Sequence, residues 1–156
     1  VTDSIKGKAR HLTVNKNGTV FVNLRYSKSG EAIAILKDTT QDGKADIIER
    51  HGNLKKRSSG SRGGYSTAMK IYNGYLYYSS ELIVYRYKLD KNGDIIPGDP
   101  EIIMVDDHEH KQHQHIGKPI AFDNKGYMYV PFGGPSNACQ EEGRTPGSPG
   151  IDPCPQ

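Results

Sequence analysis

The sequence of 156 residues has no tryptophan and only three phenylalanines, and its hydrophobic fraction is 34%. No stretch approaches the roughly 18 apolar residues of a membrane-spanning helix, so we expect no membrane span. The net charge is only +3, and no aromatic platform interleaves with the one basic run, residues 55–57. A solvated loop explains that run, so we expect no nucleic-acid partner.

Cysteine is scarce as well: the chain has only Cys139 and Cys154, with glycine and proline between them. A zinc site would need further cysteine or histidine ligands, so a disulfide that staples this loop is favoured over zinc. A disulfide implies an oxidising compartment, and we expect a periplasmic or secreted protein. The sequence opens on Val1 and no signal peptide is visible in it, so we expect that it is a mature sequence.

Glycine, proline and tyrosine are abundant, with 18, 9 and 10 residues. One phrase recurs three times, at residues 12–22, 69–78 and 120–130, and each copy alternates polar and apolar residues around an Asn/Asp/Lys-Gly turn. Such a turn between alternating segments is a strong hairpin signal. The turn glycines are Gly18, Gly74 and Gly126, so the phrase repeats after 56 and then 52 residues.

Two further strands follow each of the first two hairpins, at residues 32–36 and 45–49 and then at 83–89 and 101–105. Four strands at a period near 50 residues predict β-propeller blades, and no segment has helical periodicity. The fold class is therefore all-β: a single partial propeller over residues 1–156, with about two and a half blades. Blade 1 covers about 9–52, blade 2 about 66–106, and the first half of blade 3 about 115–156. A closed propeller needs at least about four blades, so we interpret the chain as a fragment; a small two-sheet β protein is the alternative.

A loop rich in oxygen ligands follows the third predicted strand. It fits the spacing of a twelve-residue calcium loop, with Gly43 at the sixth place. Its candidate ligands are Asp38, Thr40, Asp42, Lys44 (through its backbone carbonyl), Asp46 and Glu49. The flanks are predicted strands rather than helices, so a plain Asp-Gly turn with solvated carboxylates is the alternative. A calcium ion here would be structural.

Histidines occur at positions 108, 110, 113 and 115. In an extended segment His108 and His110 would share one face, and His113 and His115 would share the other. A metal cluster is one interpretation, and an exposed polar linker is the other for His108 and His110. His115 differs because it lies two residues before the Gly117-Lys-Pro119 entry to the third hairpin. The unperturbed pKa of histidine, near 6.5, suits a general base at neutral pH.

These elements together resemble the quinoprotein sugar dehydrogenases of the sorbosone and soluble glucose dehydrogenase type. The resemblance extends over essentially the whole chain and is strongest in three segments, residues 115–123 (HIGKPIAFD), 134–140 (GPSNACQ) and 147–155 (GSPGIDPCP). Members of this family are six-bladed propellers that oxidise sugars with pyrroloquinoline quinone (PQQ), and calcium helps to hold the quinone. The resemblance implies a sugar substrate and suggests a cytochrome as electron acceptor.

The resemblance also implies roles for individual residues. His115, or His113 if the loop is shifted, matches the general base that deprotonates the sugar hydroxyl. Lys118 matches a cation near the carboxylates of the cofactor, and Arg10, which opens the first blade, is a second candidate cation. Asn137 is a further candidate contact of the cofactor. An arginine before a strand is also commonly a surface ion-pair partner, which is the alternative for Arg10.

The sequence departs from the family in two respects. Ile116 is bulky where the family usually has a small hydroxyl residue, which weakens the assignment of His115. The blades that hold most of the quinone contacts are absent, so we expect this fragment to be inactive by itself. A non-catalytic propeller that binds a glycan or a protein is the alternative function, because propellers serve binders and enzymes alike.

Overall fold

The computed structural model describes residues 7, 9–24, 31–52, 68–107, 117–133 and 139–151. All regular structure in these residues is β-strand, and every strand pair is antiparallel. The predicted all-β fold is therefore confirmed. Within the described residues no helix is long and apolar enough to cross a membrane.

The strands form three sheets, which we call sheets 1, 2 and 3 in chain order. Sheet 1 contains β1 (Ala9–Val14), β2 (Val20–Leu24), β3 (Ile33–Lys37) and β4 (Ile47–His51). Sheet 2 contains β5 (Ala68–Tyr72), β6 (Tyr75–Ser79), β7 (Ile83–Lys88) and β8 (Glu101–Val105). Sheet 3 is the hairpin of β9 (Ala121–Phe122) and β10 (Met128–Tyr129). In each sheet the order in space is the order in the chain, and sheets 1 and 2 are open sheets with two edge strands.

The three predicted hairpins are confirmed, because β1 pairs with β2, β5 with β6 and β9 with β10. The turn glycines Gly18, Gly74 and Gly126 have φ angles of 88°, 77° and 91°, which residues with a Cβ rarely adopt. The predicted strand at 45–49 begins later, since β4 spans Ile47–His51. Asp46 accounts for this shift, because its carboxylate bonds the backbone of the preceding turn.

The main core lies between sheets 1 and 2. Side chains alternate along each strand, so one face of sheet 1 turns toward one face of sheet 2. Phe21, Ile33 and Ile35 from sheet 1 pack with Leu76 and Tyr78 from sheet 2, among others, and all five are at most 2% exposed. Tyr78 also stacks on Tyr85 and Tyr87, so aromatic rings fill much of this layer.

The opposite face of sheet 2 meets sheet 3. The ring of Phe122 stacks on Tyr72 with centroids 4.2 Å apart and leans on Tyr77 at 4.7 Å. Two buried hydrogen bonds connect successive sheets: Asn23 Nδ2 donates to the carbonyl of Ala68 at 2.8 Å, and Ser79 Oγ donates to the carbonyl of Lys118 at 3.0 Å. The sheets therefore follow one another face to face.

Sheets 1 and 2 also meet through their turns. Asn15 Nδ2 donates to the carbonyl of Gly93 at 2.9 Å, and Asn17 Nδ2 donates to the carbonyl of Asn92 at 2.6 Å. Lys37 reaches Asp94 at 3.0 Å beside them. We call this set of contacts the turn contact; it lies at the opposite end of β2 from Asn23.

Candidate functional site

Buried polar side chains collect at one end of sheet 2. In an antiparallel sheet the end of β6, the start of β7 and the end of β8 share one edge. Ser79 ends β6, Glu81 lies in the link to β7, Asp106 follows β8, and Lys118 lies in the segment that enters sheet 3. Their exposed fractions are 0%, 6%, 3% and 1%. We call these four residues the buried polar cluster.

An ion pair between Lys118 and Asp106 forms the centre of this cluster. Lys118 Nζ lies 2.6 Å from Asp106 Oδ2, and the two side chains are only 1% and 2% exposed. The ammonium also lies 4.7 Å from the ring centroid of Phe132, which adds a cation–π contact. Burial of two charges is tolerated here because each compensates the other. The backbone is fixed too, since Asp106 N donates to the carbonyl of Leu82.

Several residues of the predicted site lie outside the described residues. These are His108, His110, His113, His115, Asn137 and Cys154. Lys118 is therefore the part of the predicted catalytic region that the structure locates, three positions after His115. Cys139 is disulfide-bonded, and Cys154 is the only other cysteine in the sequence.

The two predicted cations occupy different environments. Arg10 is exposed in β1, at an irregularity of the pairing between Ala9 and His11, whereas Lys118 is fully buried. Partial burial and the neighbouring Arg10 charge lower the pKa of His11. Among the described residues no acidic side chain forms an ion pair with Arg10, so the surface ion-pair alternative has no partner there.

The loop of residues 38–49 forms a turn that its own carboxylates stabilise. Asp38 Oδ2 accepts the amide of Gly43 at 2.8 Å, and Asp46 accepts the Thr39 hydroxyl at 2.8 Å and the Thr40 amide at 3.1 Å. These hydrogen bonds, the Thr39 hydroxyl foremost, lower the pKa of Asp46.

The other candidate ligands of this loop also have partners. Asp42 Oδ1 accepts the amide of Lys44 at 2.8 Å, and Glu49 pairs with Lys37 at 3.4 Å. In the described part of the chain, no group of three or more His, Cys, Asp or Glu residues is arranged to hold a metal ion. This conformation favours the plain turn, and calcium binding here stays a prediction.

The sequence interpretation did not include the acidic members of the buried polar cluster. Neither Asp106 nor Glu81 is among the site residues that the sequence predicts. The available signal was a carboxylate directly after an apolar strand, residues 101–105, since a charge in that place needs a cation if it is buried. Nothing in the sequence pairs Asp106 with Lys118, because the contact depends on how sheet 3 docks.

A second structured element lies near the chain end, in residues 139–151. The Gln140 carboxamide donates to the carbonyl of Ser148 at 3.2 Å and accepts the amide of Arg144 at 3.1 Å, and Ile151 N donates to the carbonyl of Cys139. A shallow cavity of about 310 Å³ opens on this loop. Its lining is polar, with two carboxylates, and consists of Glu141, Glu142, Thr145, Pro146, Gly147, Ser148 and Pro149.

In comparisons with known proteins, no protein-family model, no curated protein and no solved structure matches this chain. The function is therefore inferred from the stacked sheets, from the buried polar cluster and from the resemblance of the sequence motifs.

Proposed function

We propose that the chain is part of a PQQ-dependent sugar dehydrogenase built on a six-bladed β-propeller, with sheets 1 and 2 as blades and sheet 3 as half a blade. The observation that carries this proposal is the repeated stacking of the sheets. Phe21 and Asn23 lie three and five residues after Gly18, and Tyr77 and Ser79 lie three and five residues after Gly74. Both pairs contact the next sheet, so each sheet turns the same face toward its successor.

Sheet 3 continues this pattern, and within the described residues no further sheet packs on its other face. Tyr129 and Pro131 lie three and five residues after Gly126, and both are exposed, Tyr129 by 54%. In a propeller this face would receive the next blade. The proposal therefore includes further blades, without which the 156-residue chain is inactive.

The proposed chemistry takes place beside the buried polar cluster. When bound, PQQ accepts the hydride that leaves the sugar carbon. The chain itself supplies the base, His115 or alternatively His113, which removes the proton of the sugar hydroxyl. The Lys118–Asp106 pair supports this assignment, because it anchors the segment that follows these histidines to sheet 2.

Lys118 does not fit the role of a direct partner for the carboxylates of PQQ. Its ammonium is 1% exposed and already faces a carboxylate at 2.6 Å. Binding of an anion needs an accessible cation whose charge is not compensated. Arg10 is exposed and meets this requirement. We therefore derive no step of the reaction through the cofactor from the described residues.

The proposal places the protein in an oxidising compartment, the periplasm or the exterior, with a sugar as substrate and a cytochrome as acceptor. The disulfide at Cys139 supports this location.

The test uses the product of the complete gene, supplied with PQQ and calcium. Dye reduction is assayed with a panel of aldoses, and PQQ binding is followed by its absorbance. Turnover that disappears in His115→Ala and persists in His51→Ala, a histidine at the end of the edge strand β4, supports the proposal. Turnover that survives His115→Ala and disappears in His113→Ala moves the base to His113. Absence of both turnover and PQQ binding contradicts the enzyme function.

A non-catalytic propeller that binds a glycan is the second candidate. One observation favours it: Tyr127 and Tyr129, in the second half of the sheet 3 hairpin, are 64% and 54% exposed. Aromatic rings in such positions are typical of contact surfaces. Glycan binding that Tyr129→Ala abolishes, without turnover under any condition, would establish this function instead.

A further inference from the structure

The chain contains three Asn-Gly dipeptides, at residues 17–18, 73–74 and 92–93. All three lie in turns, and their glycines have φ angles of 88°, 77° and 82°. This dipeptide is prone to one spontaneous reaction, the deamidation of its asparagine. Glycine has no side chain to shield its amide nitrogen, so this nitrogen can attack the carboxamide carbon of the preceding asparagine.

The reaction needs no reagent other than water. The amide nitrogen of glycine gives its proton to solvent and bonds to Cγ of asparagine, and the bond from Cγ to the side-chain nitrogen breaks with release of ammonia. Water then opens the cyclic imide to aspartate or to isoaspartate. Attack requires a glycine N–H free of a hydrogen bond and a carboxamide free to turn toward it. A structure that holds both groups therefore protects its asparagine.

Asn17 is held at both groups. Its Nδ2 donates to the carbonyl of Asn92 at 2.6 Å, and its Oδ1 accepts the amide of Thr19 at 3.0 Å. The amide of Gly18 is engaged as well, since it donates to the carbonyl of Asn15 at 3.0 Å. Cyclisation at Asn17 therefore requires the turn contact to open first.

Asn92 is held through its neighbours. The amide of Gly93 donates to the carbonyl of Asp90 at 3.0 Å. The carboxamide of Asn15 fills the space beside Gly93, where an added Cβ would collide with it. The amide nitrogen of Gly93 is therefore hydrogen-bonded and shielded by the Asn15 side chain, although the side chain of Asn92 is exposed.

Asn73 has neither form of protection. It forms the two-residue turn between Tyr72 and Tyr75 with Gly74, and both turn residues are exposed. Within the described residues no hydrogen bond involves the carboxamide of Asn73 or the N–H of Gly74. We propose that Asn73 is the deamidation site of the folded protein, and that the turn contact protects Asn17 and Asn92.

Deamidation of Asn73 changes the end of sheet 2. Aspartate adds one negative charge, and isoaspartate also adds a backbone carbon to a turn of only two residues. Such a turn fixes the register of its strands. The guanidinium of Arg86 lies 4.2 Å from the ring centroid of Tyr75, the residue after this turn. A shift of register at the turn would disturb this contact.

The test is incubation of the protein in mildly alkaline buffer, with and without denaturing urea, followed by peptide mapping with mass spectrometry. In the folded protein Asn73 should convert at least about tenfold faster than Asn17, a factor that ~1.4 kcal/mol of local opening free energy provides. In urea the rates should converge. Asn15→Ala weakens the turn contact and should accelerate Asn92 while Asn73 is unchanged.

Two results would overturn the proposal. One is equal conversion of Asn17 and Asn73 in the folded protein. The other is an Asn73 that converts more slowly when folded than either of the other two asparagines. The Asn73→Gln variant is the control, and the corresponding mass change must disappear in it.

Discussion

Replacement of Lys118 by methionine removes the cation that faces Asp106 in a region that water hardly reaches. The two charged atoms lie 2.6 Å apart, and the side chains are 1% and 2% exposed. Methionine retains most of the apolar stem, so the change removes charge more than volume. The ring of Phe132 loses its cation at the same time.

The size of the effect follows from burial. Removal of one partner from a buried ion pair costs about 3–5 kcal/mol of unfolding free energy. Lys37 is the matched control, because its partners Glu49 and Asp94 are 46% and 42% exposed. Lys37→Met should cost about 0–1 kcal/mol. At roughly 2–4 °C per kcal/mol for a chain of this size, Lys118→Met should lower the Tm by roughly 6–20 °C.

Thermal and urea unfolding, followed by circular dichroism, measure this difference. A third variant, Lys118→Met with Asp106→Leu, removes both charges and should recover most of the lost stability, since apolar replacement of a buried pair is often neutral or stabilising. The reasoning is refuted if Lys118→Met costs no more than Lys37→Met. It is also refuted if the double variant is as unstable as the single one.

Three further predictions concern the contacts between and within the sheets. The urea midpoint of unfolding should be lower for Gly93→Ala than for Gly43→Ala. The two glycines have the same backbone strain, with φ angles of 82° and 83°, but an added Cβ meets a side chain only at Gly93. Equal midpoints would contradict this prediction. Asn23→Ala should cost about 1–3 kcal/mol in the same assay, since it leaves a buried carbonyl without its donor, and a loss below about 0.5 kcal/mol would speak against it. Because hydrogen bonds led by the Thr39 hydroxyl lower the pKa of Asp46, the stability they give is present above the usual aspartate pKa and is lost as pH falls through the lower folded value. Thr39→Val should raise that pKa in an NMR titration, and an unchanged pKa would exclude the Thr39 contribution.

The turns could be predicted because their chemistry is local. Gly18 and Gly126 each lie three residues after a polar residue, Asn15 or Asp123. In both turns the amide of the glycine donates a hydrogen bond to the backbone carbonyl of that polar residue. The two-residue period of a strand then sets which side chains share a face: Phe21 packs in the main core, and its neighbours Val20 and Val22 pack in a second apolar cluster. Such information lies within a few residues, so a single sequence contains it.

The candidate site depends on contacts that sequence spacing does not contain. Lys118 was expected to be a cofactor-binding cation, yet it pairs with Asp106, twelve positions earlier, because sheet 3 docks on the end of sheet 2. The candidate calcium loop shows the same difficulty. Its oxygen spacing suits a metal, but whether Asp38 and Asp46 bond an ion or their own turn is decided by the backbone conformation.

The polar bonds between the sheets also have a mechanical consequence. Sheets 1 and 2 are fastened at both ends, by Asn23 at one end and by the turn contact at the other. If sheet 1 slid along sheet 2 by a single residue, about 3.4 Å, the hydrogen bonds at both ends would break. We therefore expect sheets 1 and 2 to move together as one rigid body. Between sheets 2 and 3 the described polar contacts, Ser79 with Lys118 and Lys118 with Asp106, lie at one end of sheet 2, and aromatic rings fill the rest. We therefore expect any movement of sheet 3 relative to sheet 2 to pivot about these contacts, next to the buried charges.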